Sequence, residues 1–277
     1  MFDLHNDMFS IVTPTFNRKN RISNSIDSSL SFINKDDNVI IVDDASNDGT
    51  ENFIKNRYGN FIDNNSIQYY LLQENNGVTY AKNFGTSKSE KEWVIFLDSD
   101  DCLVEGAYQH ISNAIETFQD VDIFFFRCEN HQGEVIGPIL KESYLLNLNE
   151  YVNNGTPGEC IPVIKKKTLS KYPYTANLRG FESLAYLKMI RDGVKAMVIN
   201  EIVREYSDFG EDRLSTKFNL FLRSDKLLQG RICFYNILKE HVTLDIKIKL
   251  IFKIVKLKVI SLILSVYLLF KGNFKYK

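Results

Sequence analysis

An α/β fold around a mainly parallel sheet is the architecture this chain predicts, and three observations carry it. Continuous runs of apolar, largely β-branched residues end abruptly in acids, as at Val39–Val42 before Asp43-Asp44 and Trp93–Leu97 before Asp98. Such runs suit strands covered on both faces. Segments with apolar residues at helical spacing alternate with them. The composition, 44% hydrophobic and 25% charged over 277 residues, is that of an ordinary globular chain, which excludes disorder and low-complexity architectures.

The elements follow in order. Phe9–Thr15 reads as a buried strand stopped at Pro14, and Asn17–Asn34 as a helix with Ile22, Ile26, Leu30 and Ile33 on one face. After the Val39–Val42 strand come a helix over Thr50–Tyr58, a strand over Ile67–Leu72 and a helix over Val78–Ser87. Trp93–Leu97 is the fourth strand, followed by a helix over Tyr108–Thr117 and a strand over Val121–Phe126. Beyond it the alternation weakens. Gly133–Pro157 reads as loops and short elements, and Leu184–Arg191 and Lys217–Leu238 as helices. Phe124–Phe126 reads as core. No repeat and no separating linker interrupts the chain.

The formal net charge of −1 argues against a generally basic nucleic-acid binder, but it hides an asymmetry. Residues 246–277 carry eight lysines and no acid, which leaves −9 on the remainder. Val259–Phe270 is uncharged, yet as a helix it is about 18 Å long, against a hydrocarbon core of about 30 Å. A basic helix lying in the membrane interface is the reading for this tail; a core or dimer-packing helix with solvated lysines is the alternative. Lys249, Lys253 and Lys256 share one face, while Lys247 and Lys258 fall across from them. Cys102, Cys128, Cys160 and Cys233 form no CxxC pair, and the four histidines are scattered, so neither a disulfide framework nor a zinc site is expected. Met1–Asp7 has no apolar run, so no signal peptide and a cytoplasmic location are expected.

In open parallel sheets, ligands bind at the carboxyl ends of strands. Asp43-Asp44 and Asp98-Ser99-Asp100-Asp101 are therefore placed to face one crevice. Carboxylates spaced i and i+2 can hold a hard divalent cation, whose shell keeps substrate phosphates; a diphosphate-bearing substrate follows. Acids at strand ends also serve as turn and cap residues. That explains either cluster alone better than both together.

Four segments in order resemble the family 2 glycosyltransferases, inverting enzymes of the GT-A fold. They are Ile11-Val12-Thr13-Pro14-Thr15-Phe16-Asn17-Arg18, Val39 through Asp43-Asp44-Ala45-Ser46-Asn47-Asp48-Gly49-Thr50, Glu74 through Ala81-Lys82-Asn83-Phe84-Gly85, and Val94 through Asp98-Ser99-Asp100-Asp101. The resemblance covers residues 9 to about 127 well and the remainder loosely. It implies that Pro14, Thr15 and Phe16 line a nucleotide pocket, and that Asp43 or Asp44 accepts from the base, with uracil N3–H expected. Lys82 stands where the family often has Arg and would touch base or phosphate; the alternative is a solvated helix residue. Asn83 is expected to bond within its loop. Asp98-Ser99-Asp100 matches the family's D-x-D pattern: Asp98 would reach ribose or donor sugar, Ser99 belongs with the donor ligands, and Asp100, with Asp98, would hold Mn²⁺ or Mg²⁺. Asp101 would be a helper or a helix N-cap.

Glu182, in Asn177–Leu184, stands where the family supplies its base, with Ser183 in place of a second acid. An acid in a first helical turn also suits the helix dipole, and Asp208, Glu211 and Asp212 are rivals. Arg213, on the Gly210–Ser215 loop, would be a phosphate ligand. Tyr172, Tyr174 and Phe181 lie toward the acceptor side, where packing and sugar stacking are equal alternatives.

The resemblance thus implies a GT-A domain over residues 1–240, with a donor half at 9–127 and an acceptor half at 128–240, and a basic tail at 241–277. The activity implied is metal-dependent, inverting transfer of a hexosyl or N-acetylhexosaminyl group from a UDP-sugar to a hydroxyl of a lipid-linked or surface glycan. The setting would be bacterial O-antigen, capsule or lipooligosaccharide assembly, at the inner face of the cell membrane and without nucleic-acid partners. Nucleotidyl or phosphoryl transfer, a phospho-accepting signalling domain, and a degenerate, partner-binding transferase are the competing readings.

Overall fold

Continuously buried apolar runs and helical stripes build the elements. The computed structural model describes residues 8–176, 178, 180–207 and 224–273. The N-terminal part contributes β1 (Phe9–Thr15), α1 (Ile22–Phe32), β2 (Asn38–Asp43), α2 (Thr50–Asp63), β3 (Ile67–Leu71), α3 (Val78–Lys88) and β4 (Trp93–Phe96). There follow β5 (Cys102–Leu103), α4 (Ala107–Thr117), β6 (Ile123–Glu129), β7 (Tyr144–Leu145), α5 (Leu148–Asn154), β8 (Cys160–Lys165) and α6 (Lys166–Lys171). The chain continues with α7 (Ser183–Arg191), β9 (Ala196–Glu205), α8 (Ser224–Leu238) and α9 (Leu244–Asn273).

The strands form one nine-stranded sheet in the order β3-β2-β1-β4-β8-β6-β9-β5, with β7 also on β9. β3, β2, β1 and β4 are mutually parallel, as are β6 and β9, while β8, β5 and β7 run against their neighbours. The mainly parallel sheet expected from sequence is therefore present, with β8 inserted antiparallel at its centre. β8, β9 and the short β5, β7 and α6 were not expected. Lys217–Leu238 is helical where it is described, from Ser224.

Every residue of β1 and β2 is buried, as continuous apolar runs require. Alternate residues feed opposite faces. Val12, Val94, Phe96, Phe125 and Val198 join one cluster with α3 and α7, whereas Ile11, Ile95, Phe124, Phe126 and Met197 join another with α4. Phe124, Phe125 and Phe126 are core, as expected. Gly85 sets the seat of α3, because a Cβ there would lie 2.4 Å from a Val12 methyl. Only a bare backbone allows that approach.

The parallel strands end at one rim. Thr15 is paired with Asp43, and β4 stops beside Val12. Leu97 N–H donates to the Val12 carbonyl, so Val12 and, two residues on, Pro14 turn their backbone polar groups toward β4. β4 has ended by Pro14, so the ring nitrogen that cannot donate faces the open crevice rather than a ladder.

Candidate active site

Two loops close the rim at β1 and β2. Asn17 adopts a φ of 54°, its N–H donates to Ser46 Oγ (2.8 Å), and its side-chain carbonyl accepts Asn47 N–H (2.9 Å). Asp43 and Asp44 are both buried and have different jobs. Asp43 accepts from Ser46 N–H (2.8 Å) and from the Tyr69 hydroxyl (2.7 Å). Asp44 accepts from the backbone N–H groups of Asn76 and Gly77 (2.8 and 2.7 Å). Asp43 thus shapes its own turn, and Asp44 ties β2 to the start of α3. Burial, with Asp43 beside it, raises the Tyr69 pKa and keeps that phenol a neutral donor.

Lys82 lies at the centre. It is 8% exposed, which rules out the solvated-helix alternative. Its Nζ is 3.1 Å from Asp98 Oδ1 and 3.9 Å from Glu182 Oε1, and it lies over the Phe96 ring at 5.8 Å. Burial works against its charge, yet Asp98 and Glu182 outweigh it and the ammonium pKa is raised. One cation therefore holds a carboxylate from the β4 end and another from the start of α7. Glu182 precedes the first residue of α7, and its side chain accepts no capping bond.

Asp101 departs from the N-cap expectation. It caps no helix, since Gly106 stands at the N-terminus of α4. It is 2% exposed, pairs with Arg204 Nη1 of β9 at 3.1 Å, and accepts Ser207 N–H at 2.9 Å. Burial pushes its pKa up to about 7, against the pull of the Arg204 guanidinium. Arg204 also donates to Cys128 Sγ (3.1 Å) and approaches Glu159 at 3.8 Å. Asn83 bonds outside its loop: its amide donates to the Tyr174 carbonyl (2.8 Å) and accepts Tyr174 N–H (2.9 Å), 91 residues away. α3 lies close on the sheet at Gly85, and through Asn83 it ties down the irregular segment at Tyr174. Tyr174 is packing rather than a sugar platform: it is 3% exposed, bonds the Tyr186 hydroxyl at 2.8 Å and lies edge-on to Phe96. Phe181 is also buried, and Tyr172 packs against the core.

The remaining candidates divide simply. Pro14, Thr15 and Ser99 are buried at the rim, and Phe16 is exposed there. Asp100 is half-buried beside Asp98. Arg213, Asp208, Glu211 and Asp212 lie outside the described residues. Asp98 and Asp100 supply hard carboxylate oxygens, the donor type Mg²⁺ and Mn²⁺ prefer. Among the described residues no three His, Cys, Asp or Glu side chains converge as a cage. The donor set thus fits a cation whose shell is completed by water and phosphate oxygens. Sequence reasoning missed Tyr69, Arg204 and Tyr186; each acts across more than ten residues and sits in no local motif.

A mainly parallel sheet with acids along its carboxyl rim, and a further acid at a later helix start held to the same lysine, is the architecture of an α/β ligand-binding fold. Residues 10–172 match the family described as glycosyl transferase family 2, and the chain belongs to that family. It is 28% identical over 213 residues to the Campylobacter jejuni GalNAc(5)-diNAcBac-PP-undecaprenol beta-1,3-glucosyltransferase, covering 74% of this chain and 66% of that one. It is 30% identical over 215 residues to the Staphylococcus aureus poly(ribitol-phosphate) beta-N-acetylglucosaminyltransferase TarP, covering 75% and 55%. The chain thus spans about two thirds or less of these two relatives' lengths. Among solved structures, S. aureus TarS 1–349 in complex with UDP superposes with a TM-score of 0.66 at 16% identity, over 90% of this chain and 70% of that one. A mannosyltransferase from Pyrobaculum calidifontis with GDP-Man and Mn²⁺ reaches 0.58 at 15% identity, over 83% and 64%.

Proposed function

We propose that the chain is a metal-dependent inverting glycosyltransferase that moves a hexosyl or N-acetylhexosaminyl group from a UDP-sugar to a glycan hydroxyl. The observation that carries this is the Lys82 bridge, which brings the D-x-D carboxylate Asp98 and the candidate base Glu182 to one cation. The reaction needs a donor and an acceptor to meet between such groups. Glu182 takes the acceptor hydroxyl's proton as its oxygen bonds the anomeric carbon. The anomeric C–O bond to phosphate breaks, and its electron pair leaves on the nucleoside diphosphate. Asp100, with Asp98, would hold Mn²⁺ or Mg²⁺, which neutralises charge on the leaving diphosphate.

Pro14, Thr15, Phe16 and Ser99 line the donor pocket in this reading, with Asp43 or Asp44 on the base. Asp44 has two backbone donors and Asp43 a phenol and one backbone donor, so each keeps lone pairs for a further N–H. Lys82 meets phosphate as a point charge, without the fork of an Arg. Arg213 is retained as a phosphate ligand. Residues 1–240 form the transferase domain, with donor half 9–127 and acceptor half 128–240, and 241–277 form a membrane-associating tail. The lipid-linked acceptors and surface polymers in the relatives' names support a bacterial surface-glycan setting at the inner face of the membrane.

The test is calorimetric binding of UDP, GDP and CDP and their sugars, with and without Mn²⁺. UDP-sugar binding that strengthens with Mn²⁺, and loses that dependence in Asp100→Asn, is the expected result. Binding of no nucleotide by the folded protein removes the proposal.

A further inference from the structure

α9 carries two different apolar faces, and the lysines that looked misplaced in the sequence separate them. At roughly 100° per residue, Leu250, Ile254, Leu257 and Leu264 fall on one side. Leu250 and Leu264 are buried, with Ile254 and Leu257 half-buried between them. This side packs on α8, where Ser261 also donates to the Asp225 carboxylate. The opposite side bears Ile248, Ile251, Phe252, Val255, Val259 and Leu262, an apolar stripe about 100° wide. It is open: Ile248 is 58%, Phe252 70% and Leu262 65% exposed.

Lys247 and Lys258 lie along one margin of the stripe and Lys249 and Lys256 along the other, with Lys253 beyond them. A lysine on each margin lets the apolar face sink while the ammonium groups stay at headgroup level. Asp245, in the first turn and bonded by the Thr243 hydroxyl, is the only acid of the helix. A solvated surface helix would have no reason to expose six large apolar side chains in line. A second copy seated stripe on stripe would bring lysine margins against lysine margins.

We infer that this stripe and its two lysine margins are the surface by which the chain lies on an anionic lipid bilayer. The inference deepens the membrane-associated reading above and rests on it for the kind of partner. The face is also joined to the site. α8 packs against α7, and a Cβ at Gly230 of α8 would lie 2.3 Å from the Phe181 ring. Phe181 precedes Glu182, so the helix pair joins this face to the chain beside the proposed base, where a lipid-linked hydroxyl would arrive.

The experiment is flotation of the full chain with vesicles of phosphatidylcholine alone or with about a third phosphatidylglycerol. The chain should float only with the anionic vesicles. Lys247→Gln with Lys258→Gln should lower partitioning roughly thirtyfold, and Phe252→Ser with Val255→Ser should abolish it. As a reporter that leaves the face intact, Phe252→Trp should be quenched by brominated lipid; Trp93, the sole native tryptophan, is 2% exposed and stays unquenched. Flotation unchanged in the stripe variants, with no quenching of Trp at 252, overturns this face and leaves membrane association standing. Failure of the folded wild-type chain to float overturns both. A dimer that the stripe variants dissolve overturns the lipid assignment in favour of a second copy. UDP binding is read separately and is untouched by any of these outcomes.

Discussion

Replacing Arg204 by Met removes the guanidinium that pairs with Asp101 at 3.1 Å and touches Cys128 Sγ, while keeping the buried stem. Asp101 is 2% exposed and its pKa stands at about 7 even with Arg204 present, against about 3.9 in the unfolded chain. The folded state therefore holds this proton more tightly than the unfolded one. Stability from Asp101 is full below about pH 4 and declines as pH rises to about 7, by up to about 4 kcal/mol. Removing the guanidinium raises the Asp101 pKa further. At pH 5.5 the carboxyl is protonated with or without Arg204, and the loss should be about 1–2 kcal/mol, the worth of the lost hydrogen bonds. At pH 8.5 a buried carboxylate loses its counter-ion, and the loss should reach about 3–5 kcal/mol. Urea unfolding at both pH values, with m unchanged, measures the difference. Adding Asp101→Asn to Arg204→Met should erase the pH dependence. Equal losses at the two pH values refute the reasoning.

The remaining predictions follow from the same geometry. Glu182→Gln should keep UDP-sugar binding and lower transfer about 10²- to 10⁴-fold; transfer near the wild-type rate would assign the base elsewhere. Lys82→Met should weaken donor binding roughly tenfold to a hundredfold in calorimetry, with Lys82→Arg restoring much of it; unchanged binding would leave Lys82 a purely structural cation. Ala45 holds a left-handed φ of 65°, so Ala45→Gly should relieve about 1–2 kcal/mol of strain against about 0.5–1 kcal/mol of added chain entropy. A small rise in Tm is expected, and a fall would show that the turn does not need the bare backbone.

The N-terminal part of the sheet was legible because its signals are local. Val39–Val42 and Trp93–Leu97 are apolar end to end, and each delivers its acids to the same rim through a register the sheet rules anticipate. Glu182 was proposed from the family resemblance, and its contact with Lys82 had no sign in the sequence. What escaped notice acts at a distance. Nothing near Asp101 points to Arg204, which lies over 100 residues on. β8 contains Pro162, and β9 breaks its apolar run with Asn200 and Glu201, so neither shows the continuous pattern of the central strands. Asn83 sits in a motif that suggests a local turn, while its partner Tyr174 is supplied by a segment with no motif at all. On α9, the period of the apolar residues was visible, but two apolar faces on one helix blur into an imperfect stripe until α8 covers one of them.

The antiparallel insertion of β8 has a consequence for how the chain is made. β4 pairs with β1 on one side and with β8 on the other, Trp93 opposite Lys165. As the polypeptide leaves the ribosome, β4 is finished about 70 residues before its second neighbour exists. At roughly 5–20 residues per second that is about 4–14 s. During that interval Trp93, Val94, Ile95 and Phe96 form an uncovered apolar edge, the kind that templates intermolecular pairing. Nascent chains stalled between residues 100 and 160 should be the ones that holdase chaperones capture, and a fragment stopped near 127 should aggregate, however complete its nucleotide motifs.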